Sequence, residues 1–123
     1  MKTCLIIEDN EDSRVLITRL LEKSGYRTLL AATGREGMTA ALQRKPDFII
    51  LDIQLPDMDG LDVLRAIRSS ASGYRIPVIA MTSYAMSGDR QRFLASGCDE
   101  YIEKPIDPQR VISQIRRVIG DSE

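Results

Sequence analysis

Acidic side chains directly follow two of the short apolar runs in this chain. Glu8 and Asp9 come after the run at residues 4–7, and Asp52 comes after the run at residues 48–51. A carboxylate at the end of a buried segment loses water, which costs free energy unless a partner compensates for the loss. Asp52 is therefore a candidate for chemistry, whereas Glu8 and Asp9 taken alone are equally compatible with a solvated strand end before a helix.

A hydroxyl and an amine follow two further apolar runs. Thr82 comes after residues 78–81, and Lys104 comes after residues 100–103. Each of them alone fits an ordinary turn or surface residue, but beside three carboxylates they would complete a chemical site. Crowded carboxylates raise one another's pKa unless a cation neutralises them, and Mg²⁺ suits a site of few carboxylates that keeps room for a phosphoryl oxygen. A carboxylate can also attack phosphorus directly, with metal and lysine balancing the charge of the transition state.

Five strands alternating with five helices are predicted from the spacing of the apolar residues. The strands are expected at residues 4–7, 26–31, 48–51, 78–81 and 100–103, and the fourth helix at residues 87–95. Continuously apolar strands favour a parallel sheet that is covered on both faces, and such sheets bind ligands beyond the carboxyl ends of their strands. The predicted fold class is therefore α/β, a (βα)5 arrangement in a single domain covering residues 1–123.

Helix boundaries are indicated by several local signals. Thr33 and Glu36 have the spacing of a capping box at the start of the second helix, and Asp107 before Pro108 predicts the start of the fifth. The buried stripe of the first helix is expected to consist of Val15, Leu16, Ile17, Leu20 and Leu21.

Composition excludes several classes of function. The 123 residues carry a net charge of −1 without a long basic run, so no nucleic-acid-binding surface is expected. The amino-terminal apolar run is too short for a signal peptide or a membrane span, which predicts a cytoplasmic protein without a membrane partner. Cys4 and Cys98 are expected to be reduced and structural. The chain has no histidine, which excludes histidine-ligated metals, a Ser-His-Asp triad and a phosphohistidine within this sequence.

Four motifs together resemble the receiver domain of two-component response regulators, along the whole length of the chain. They are IIEDN at residues 6–10, LDIQLPDMDG at 51–60, AMTS at 80–83 and YIEKPID at 101–107. Each motif alone is weak, but all four in this order at strand ends are specific. The resemblance implies a flavodoxin-like doubly wound parallel sheet with the strand order 2-1-3-4-5.

The same resemblance implies roles for individual residues. Asp52 would be the phosphoacceptor, contacted through its phosphoryl group by Thr82 and Lys104. Mg²⁺, for which Mn²⁺ can substitute, would be held by Glu8, Asp9, Asp52 and the backbone carbonyl of Gln54. Asp9 is expected to be the direct ligand of the acid pair, with Glu8 acting through water. Such a domain is not an enzyme in the usual sense, because its chemistry is its own phosphorylation and dephosphorylation.

Signalling residues are implied as well. Thr82 and Tyr101 match the switch positions of the family, and Pro105 matches the proline that follows a cis peptide bond. Gln54 and Tyr84 occupy variable positions that tune hydrolysis of the aspartyl phosphate, and the ring of Tyr84 is expected to slow it. The phosphodonor would be a histidine kinase or a histidine phosphotransfer protein, and a downstream protein would bind the surface formed by the fourth helix, fifth strand and fifth helix. Asp57 and Asp59 are interpreted as turn formers outside the site.

Alternative functions remain open at this point. The chain could be a natural single-domain regulator or a receiver domain from a hybrid histidine kinase. A small phosphatase of the haloacid-dehalogenase type would also use an aspartyl nucleophile, but it needs a second aspartate where Gln54 stands. A flavin-binding electron carrier of the same fold lacks support, because the acidic sequence EDNEDS after the first strand would repel a phosphate.

Overall fold

A five-stranded parallel sheet forms the centre of the molecule, in a computed structural model that describes residues 1–71, 75–83 and 86–121. The strands lie side by side in the order β2-β1-β3-β4-β5, as predicted. In chain order the elements are β1 (Thr3–Ile7), α1 (Glu11–Lys23), β2 (Arg27–Ala31), α2 (Gly34–Arg44), β3 (Phe48–Asp52), α3 (Gly60–Ser69), β4 (Val78–Thr82), α4 (Asp89–Ala95), β5 (Glu100–Glu103) and α5 (Pro108–Ile119).

Two hydrophobic layers cover the sheet, one on each face. Alternate strand residues point to opposite faces, so Leu5 and Ile7 lie in one layer while Cys4 and Ile6 lie in the other. The first layer is closed by α2, α3 and α4, and the second by α1 and α5. Every residue of β3 and β4 is buried, which explains why residues 48–51 and 78–81 are continuously apolar rather than alternating.

The strands β3 and β4 are each one residue longer than predicted. Asp52 is the last residue of β3, and Thr82 is the last residue of β4. Both polar side chains are therefore held on the sheet itself rather than on the loops behind it. The fourth helix is shorter than predicted and begins at Asp89, after Gly88 takes a positive φ of 86° as its N-cap.

The prediction for the buried stripe of α1 was wrong at two positions. Ile17 and Leu21 are buried, but Val15 and Leu16 are 41% and 42% exposed. The helix contacts the sheet along a narrow face, and five apolar residues in a seven-residue stretch are more than that face can cover. Val15 and Leu16 consequently present apolar surface to solvent beside the carboxyl end of the sheet.

Helix caps follow the predictions in part. The Thr33 hydroxyl accepts a hydrogen bond from the backbone N–H of Glu36 (3.1 Å), and Asp107 accepts one from Gln109 (2.9 Å). The capping box is incomplete, because the Glu36 side chain accepts from the N–H of Ala32 rather than from Thr33. Both cysteines are buried free thiols, as predicted.

Candidate phosphoacceptor and metal site

The predicted site residues meet at the carboxyl edge of the sheet. Parallel pairing places Asp52 beside Met81 and Thr82 beside Glu103, so the ends of β3, β4 and β5 are level. Asp52 is 8% exposed and Thr82 is 1% exposed. Polar groups with so little access to water are held there by the strand register, which fixes them with little freedom to move.

Glu8, Asp9 and Asp52 form a compact acidic triad. One carboxylate oxygen from each lies within 4.8 Å of the others. Glu8 is buried, and its backbone N–H donates to the carbonyl of Ala31 (2.9 Å) at the end of β2. Asp9 is exposed and makes no hydrogen bond with any residue in the described ranges. The triad thus has a buried floor and an open side facing solvent.

Lys104 contacts the triad through Glu8. Its ammonium group forms an ion pair with one Glu8 oxygen and lies 3.4 Å from the hydroxyl of Ser13. The other Glu8 oxygen accepts the N–H of Asn10 (3.2 Å). Both Glu8 oxygens are therefore engaged in this structure, whereas those of Asp9 are open to a ligand.

The pKa of Asp52 is raised from its ordinary 3.8 to about 7. Burial is the largest cause, and the hydrogen bonding and negative charge of Glu8 add to it. The positive charge of Lys104 and the N–H of Gln54, 3.4 Å from the carboxylate, act in the opposite direction. The net shift is upward, so the positive charge of Lys104 does not offset burial together with the adjacent Glu8.

The loop behind Asp52 is closed tightly at its base. The N–H of Gly60 donates to the carbonyl of Ile53 (2.7 Å), and Gln54 forms an isolated antiparallel bridge with Asp59. A Cβ atom on Gly60 would lie 2.7 Å from the Cα of Ile53, so only glycine permits this approach. The backbone of Gln54 is thereby kept next to the acidic triad.

Tyr101 is buried rather than exposed. It is 4% exposed, its ring centre lies 6.0 Å from that of Phe93, and its hydroxyl has no hydrogen-bond partner among the described residues. The resemblance implied a switch role for Tyr101, and in this structure, which carries no phosphoryl group, the ring is already inside. The Lys104–Pro105 peptide bond is cis, as the resemblance implied. Tyr84 lies outside the described residues.

Sequence reasoning missed three residues that contact this region. Asn10 caps α1 by accepting the N–H of Ser13 (2.9 Å) while its own N–H holds Glu8, and Ser13 reaches Lys104. Asn10 three residues before Ser13 carries a recognisable N-cap signal. Asp57 was interpreted as a turn former, but its carboxylate binds the first N–H groups of α2. No local pattern reveals that contact, because it joins residues 23 positions apart.

The donor set fits a hard divalent cation. Three carboxylates and a nearby backbone offer oxygen ligands, which Mg²⁺ and Mn²⁺ prefer. The raised pKa of Asp52 agrees with this fit, because burial and the adjacent Glu8 both disfavour its charged form and a bound cation would favour it. The open side at Asp9 leaves room for water and for a phosphoryl group.

Comparison with known proteins decides the family. The model of the response regulator receiver domain matches residues 4–116. This chain belongs to the receiver domain family. It is 41% identical over 121 residues to the polar-differentiation response regulator DivK of Brucella anthropi, and the match covers 98% of both chains. The receiver domains act in two-component signal transduction, and a phosphatase of the haloacid-dehalogenase type receives no support.

Solved structures of receiver domains have the same fold. The receiver domain of the sensor histidine kinase PA1611 from Pseudomonas aeruginosa PAO1 is 34% identical with a TM-score of 0.89, covers 98% of both chains, and has magnesium in its active-site cleft. A CheY-like receiver domain protein from Methanospirillum hungatei JF-1 is 29% identical with a TM-score of 0.90, covering 98% of this chain and 94% of that one. The flavodoxin-like fold class is confirmed. Within the described residues, no helix combines the length and the apolar character needed to cross a bilayer.

Proposed function

We propose that this receiver domain accepts a phosphoryl group on Asp52 from a phosphohistidine of a partner protein. The observation that carries the proposal is the buried carboxylate at the end of β3, which shares a compact triad with Glu8 and Asp9 and lies near Lys104. A carboxylate in this position is a nucleophile that the strand register has already oriented toward the open side of the site.

Mg²⁺ or Mn²⁺ would be held by Asp9, Asp52 and the backbone carbonyl of Gln54, with Glu8 behind them. When bound, the cation supplies positive charge for the phosphoryl oxygens and relieves the repulsion within the triad. The magnesium in the PA1611 receiver domain supports this assignment for a chain that is 34% identical to it. Asp9 is the better direct ligand, because both oxygens of Glu8 are engaged by Lys104 and Asn10.

The chain's own residues perform the transfer by position and charge. An Asp52 oxygen attacks phosphorus, the new O–P bond forms, and the P–N bond to the donor histidine breaks, leaving its electron pair on the imidazole nitrogen. Lys104 exchanges Glu8 for a phosphoryl oxygen, and the Thr82 hydroxyl donates to another. Hydrolysis follows when water attacks the same phosphorus, the O–P bond to Asp52 breaks, and inorganic phosphate leaves while the Asp52 carboxylate is restored. The domain thus catalyses its own phosphorylation and dephosphorylation.

The donor is a group outside this sequence, because the chain contains no histidine. We propose a histidine kinase or a histidine phosphotransfer protein that covers the apolar surface beside the site. A cavity of about 480 Å³ lies next to Lys104, with Leu16, Ile17, Pro105 and Ile106 among its lining residues. Leu16 is not part of the core, and we propose that its exposed side chain contacts the phosphodonor.

A comparison of two donors tests this surface. Leu16→Asp should slow transfer from a phosphorylated phosphotransfer protein, while labelling by acetyl phosphate stays at the wild-type rate. Leu42→Asp is the matched control, since Leu42 is similarly exposed at 38% but lies on α2, across the sheet. Equal transfer to both variants would place the donor on a different surface.

Output is proposed to leave through Thr82 and Tyr101 to the surface formed by α4, β5 and α5, where a downstream protein binds. A phosphoryl group that attracts the Thr82 hydroxyl adds contacts to one state of the domain and so shifts its population. Because the Tyr101 ring is already buried here, the test is whether an outward ring is populated without phosphate and depleted with it. Aromatic ¹³C shifts of Tyr101 before and after phosphorylation measure that population.

Intact mass spectrometry tests the central chemistry. The wild type incubated with acetyl phosphate and Mg²⁺ should gain the mass of one phosphoryl group, and Asp52→Asn should gain none while keeping its circular dichroism spectrum. Full labelling of Asp52→Asn would assign the phosphoacceptor to another residue.

A further inference from the structure

The side chain of Asp57 joins the loop behind the phosphoacceptor to the start of α2. One of its oxygens accepts the N–H of Gly34 (2.8 Å), and the other accepts the N–H of Arg35 (3.0 Å). The first N–H groups of a helix have no partner within the helix. Since Thr33 takes the N–H of Glu36, Asp57 supplies the two partners that the cap of α2 itself leaves out.

Packing reinforces this junction. The Met58 side chain lies so close to Gly34 that a Cβ atom at position 34 would clash with its Cγ, so this side chain packs directly on the backbone of the helix. The N–H groups of Arg35 and Gly34 also hold the pKa of Asp57 below its ordinary value. At neutral pH the carboxylate is therefore ionised and opposite the positive end of the helix dipole.

The same loop contains Gln54, the residue whose carbonyl belongs to the proposed metal site. Its base is closed by the hydrogen bond from Gly60 to Ile53 and by the bridge between Gln54 and Asp59. Its tip is held at Asp57. The loop of residues 53–59 is fixed at base and tip and so has few conformations, and release of the tip would free the backbone of Gln54 to move.

We propose that Asp57 is a positioning residue, which fixes the Gln54 backbone for metal binding by anchoring its loop to α2. The inference rests on the proposed function, because it concerns the metal site that serves Asp52. Asp57 itself is exposed and does not belong to the triad, so its effect on the metal passes through the loop. The contact also connects the phosphorylation site to the α2 side of the molecule.

Binding of Mn²⁺ alone, measured by electron paramagnetic resonance of the free ion, tests the proposal without any phosphodonor. Asp57→Ala should weaken Mn²⁺ binding about tenfold, the lower end of the range for groups that orient metal ligands from outside the coordination sphere. Asp57→Asn keeps one acceptor oxygen and should recover most of the affinity. Gly34→Ala should weaken binding too, since its methyl group displaces Met58 and the loop without changing any charge.

Two control variants separate positioning from simpler effects. Thr33→Ala weakens the cap of the same helix without touching the loop, and Asp62→Ala removes an exposed carboxylate from the first turn of α3. Both should bind Mn²⁺ like the wild type. Faster amide hydrogen exchange at Gly34 and Arg35 in Asp57→Ala would report the loss of the anchor itself.

Each outcome bears on a separate claim. Wild-type affinity in Asp57→Ala, together with faster exchange at Gly34 and Arg35, would overturn the positioning role while leaving the proposed function intact. Equal losses in Asp57→Ala and Thr33→Ala would also overturn it, because helix stability would then be the cause. A wild type that binds no Mn²⁺ would overturn the metal site and this inference together.

Discussion

Charged side chains are paired at the amino end of the sheet, whereas carboxylates crowd together at its carboxyl end. At the amino end, Arg68 donates to the carbonyls of Gly97 (2.9 Å) and Ile76 (2.7 Å) and pairs with Asp99 (3.0 Å). Asp99 in turn accepts the N–H of Val78 at the start of β4 (2.8 Å). One guanidinium thereby joins α3, β4 and the turn before β5 with its hydrogen bonds satisfied.

A second cluster of paired charged and polar side chains lies at the same end of the sheet. Lys2 pairs with Asp121 (2.5 Å), and the hydroxyl of Tyr26 donates to the other oxygen of that carboxylate (2.8 Å). Arg116 reaches both the hydroxyl of Tyr26 (3.3 Å) and the carbonyl of Ser24 (3.0 Å). These contacts connect the start of β1 to the end of α5, and they need no ligand to complete them.

The carboxyl end is unbalanced by comparison. Three carboxylates meet there, and the ion pair that the described residues form with them is that of Lys104 with Glu8. Burial and, after it, the neighbouring Glu8 raise the pKa of Asp52 to about 7. The comparison teaches that paired charges stabilise the fold at one end, while the other end holds repulsion that a bound cation can relieve.

Replacement of Lys104 should have the largest effect on stability. Lys104→Met leaves the buried Glu8 carboxylate without its cation, and loss of one partner of a buried pair costs about 3–5 kcal/mol. We expect urea unfolding of the metal-free variant to show a loss near the lower end of that range, since the N–H of Asn10 still holds Glu8. Mg²⁺ should then stabilise the variant more than the wild type. Equal stabilisation of both would contradict the charge imbalance.

The amino end is tested by Arg68→Ala. The variant loses two hydrogen bonds to backbone carbonyls and a partly buried ion pair, which we expect to cost about 2–3 kcal/mol. Arg65→Ala, at an exposed position of the same helix, should change the free energy of unfolding by less than about 0.5 kcal/mol. Binding of Mn²⁺ should be unchanged in both variants. Weaker metal binding in Arg68→Ala would mean that the two ends are not independent.

The pH dependence of stability should come from Asp52 at the carboxyl end. Because its pKa is raised to about 7, the folded protein holds a proton that the unfolded chain releases near the ordinary value of 3.8. Stability of the metal-free protein should therefore fall as pH rises from about 4 to about 7. Asp52→Asn should lack this fall and be more stable at neutral pH by on the order of 2 kcal/mol. Parallel pH profiles for the two proteins in urea, with chelator present, would contradict the raised pKa.

The smallest effect on stability is expected at Tyr101, whose neutral hydroxyl is buried near the carboxyl end of the sheet. Its buried hydroxyl has no partner among the described residues, so Tyr101→Phe removes an unsatisfied group and keeps the packing against Phe93. The variant should equal the wild type in stability or exceed it by up to about 1 kcal/mol. A clear loss of stability in urea unfolding would show that the hydroxyl is bonded in solution.

Strand patterns and turn signals are local, so the sequence was sufficient to predict the five strands of the sheet, while their order came from the resemblance to receiver domains. It also placed Asp52, Thr82 and Lys104 at strand ends, and a parallel sheet brings those ends together whatever the loops do. The errors have a different origin. Val15 and Leu16 were predicted to be buried because helical periodicity does not state how wide a face the sheet covers.

Contacts between distant loops could not be predicted from local patterns. The bond from Asp57 to the start of α2 and the choice of Glu8 as the partner of Lys104 both depend on how loops meet after the sheet has formed. For residues at the carboxyl edge of a parallel sheet, the sequence thus predicts the position but not the hydrogen-bond or ion-pair partner.

The most direct test of the account is the position of the phosphoryl group itself. An acyl phosphate on aspartate is reduced by borohydride to homoserine, which marks the modified residue permanently and is located by peptide mass spectrometry. After incubation with acetyl phosphate and Mg²⁺, the wild type should contain homoserine at position 52, and the sample prepared with chelator should contain none. Homoserine at Asp9, Asp57 or Asp59, or equal labelling without a divalent cation, would contradict the assignment of Asp52 as the metal-dependent phosphoacceptor.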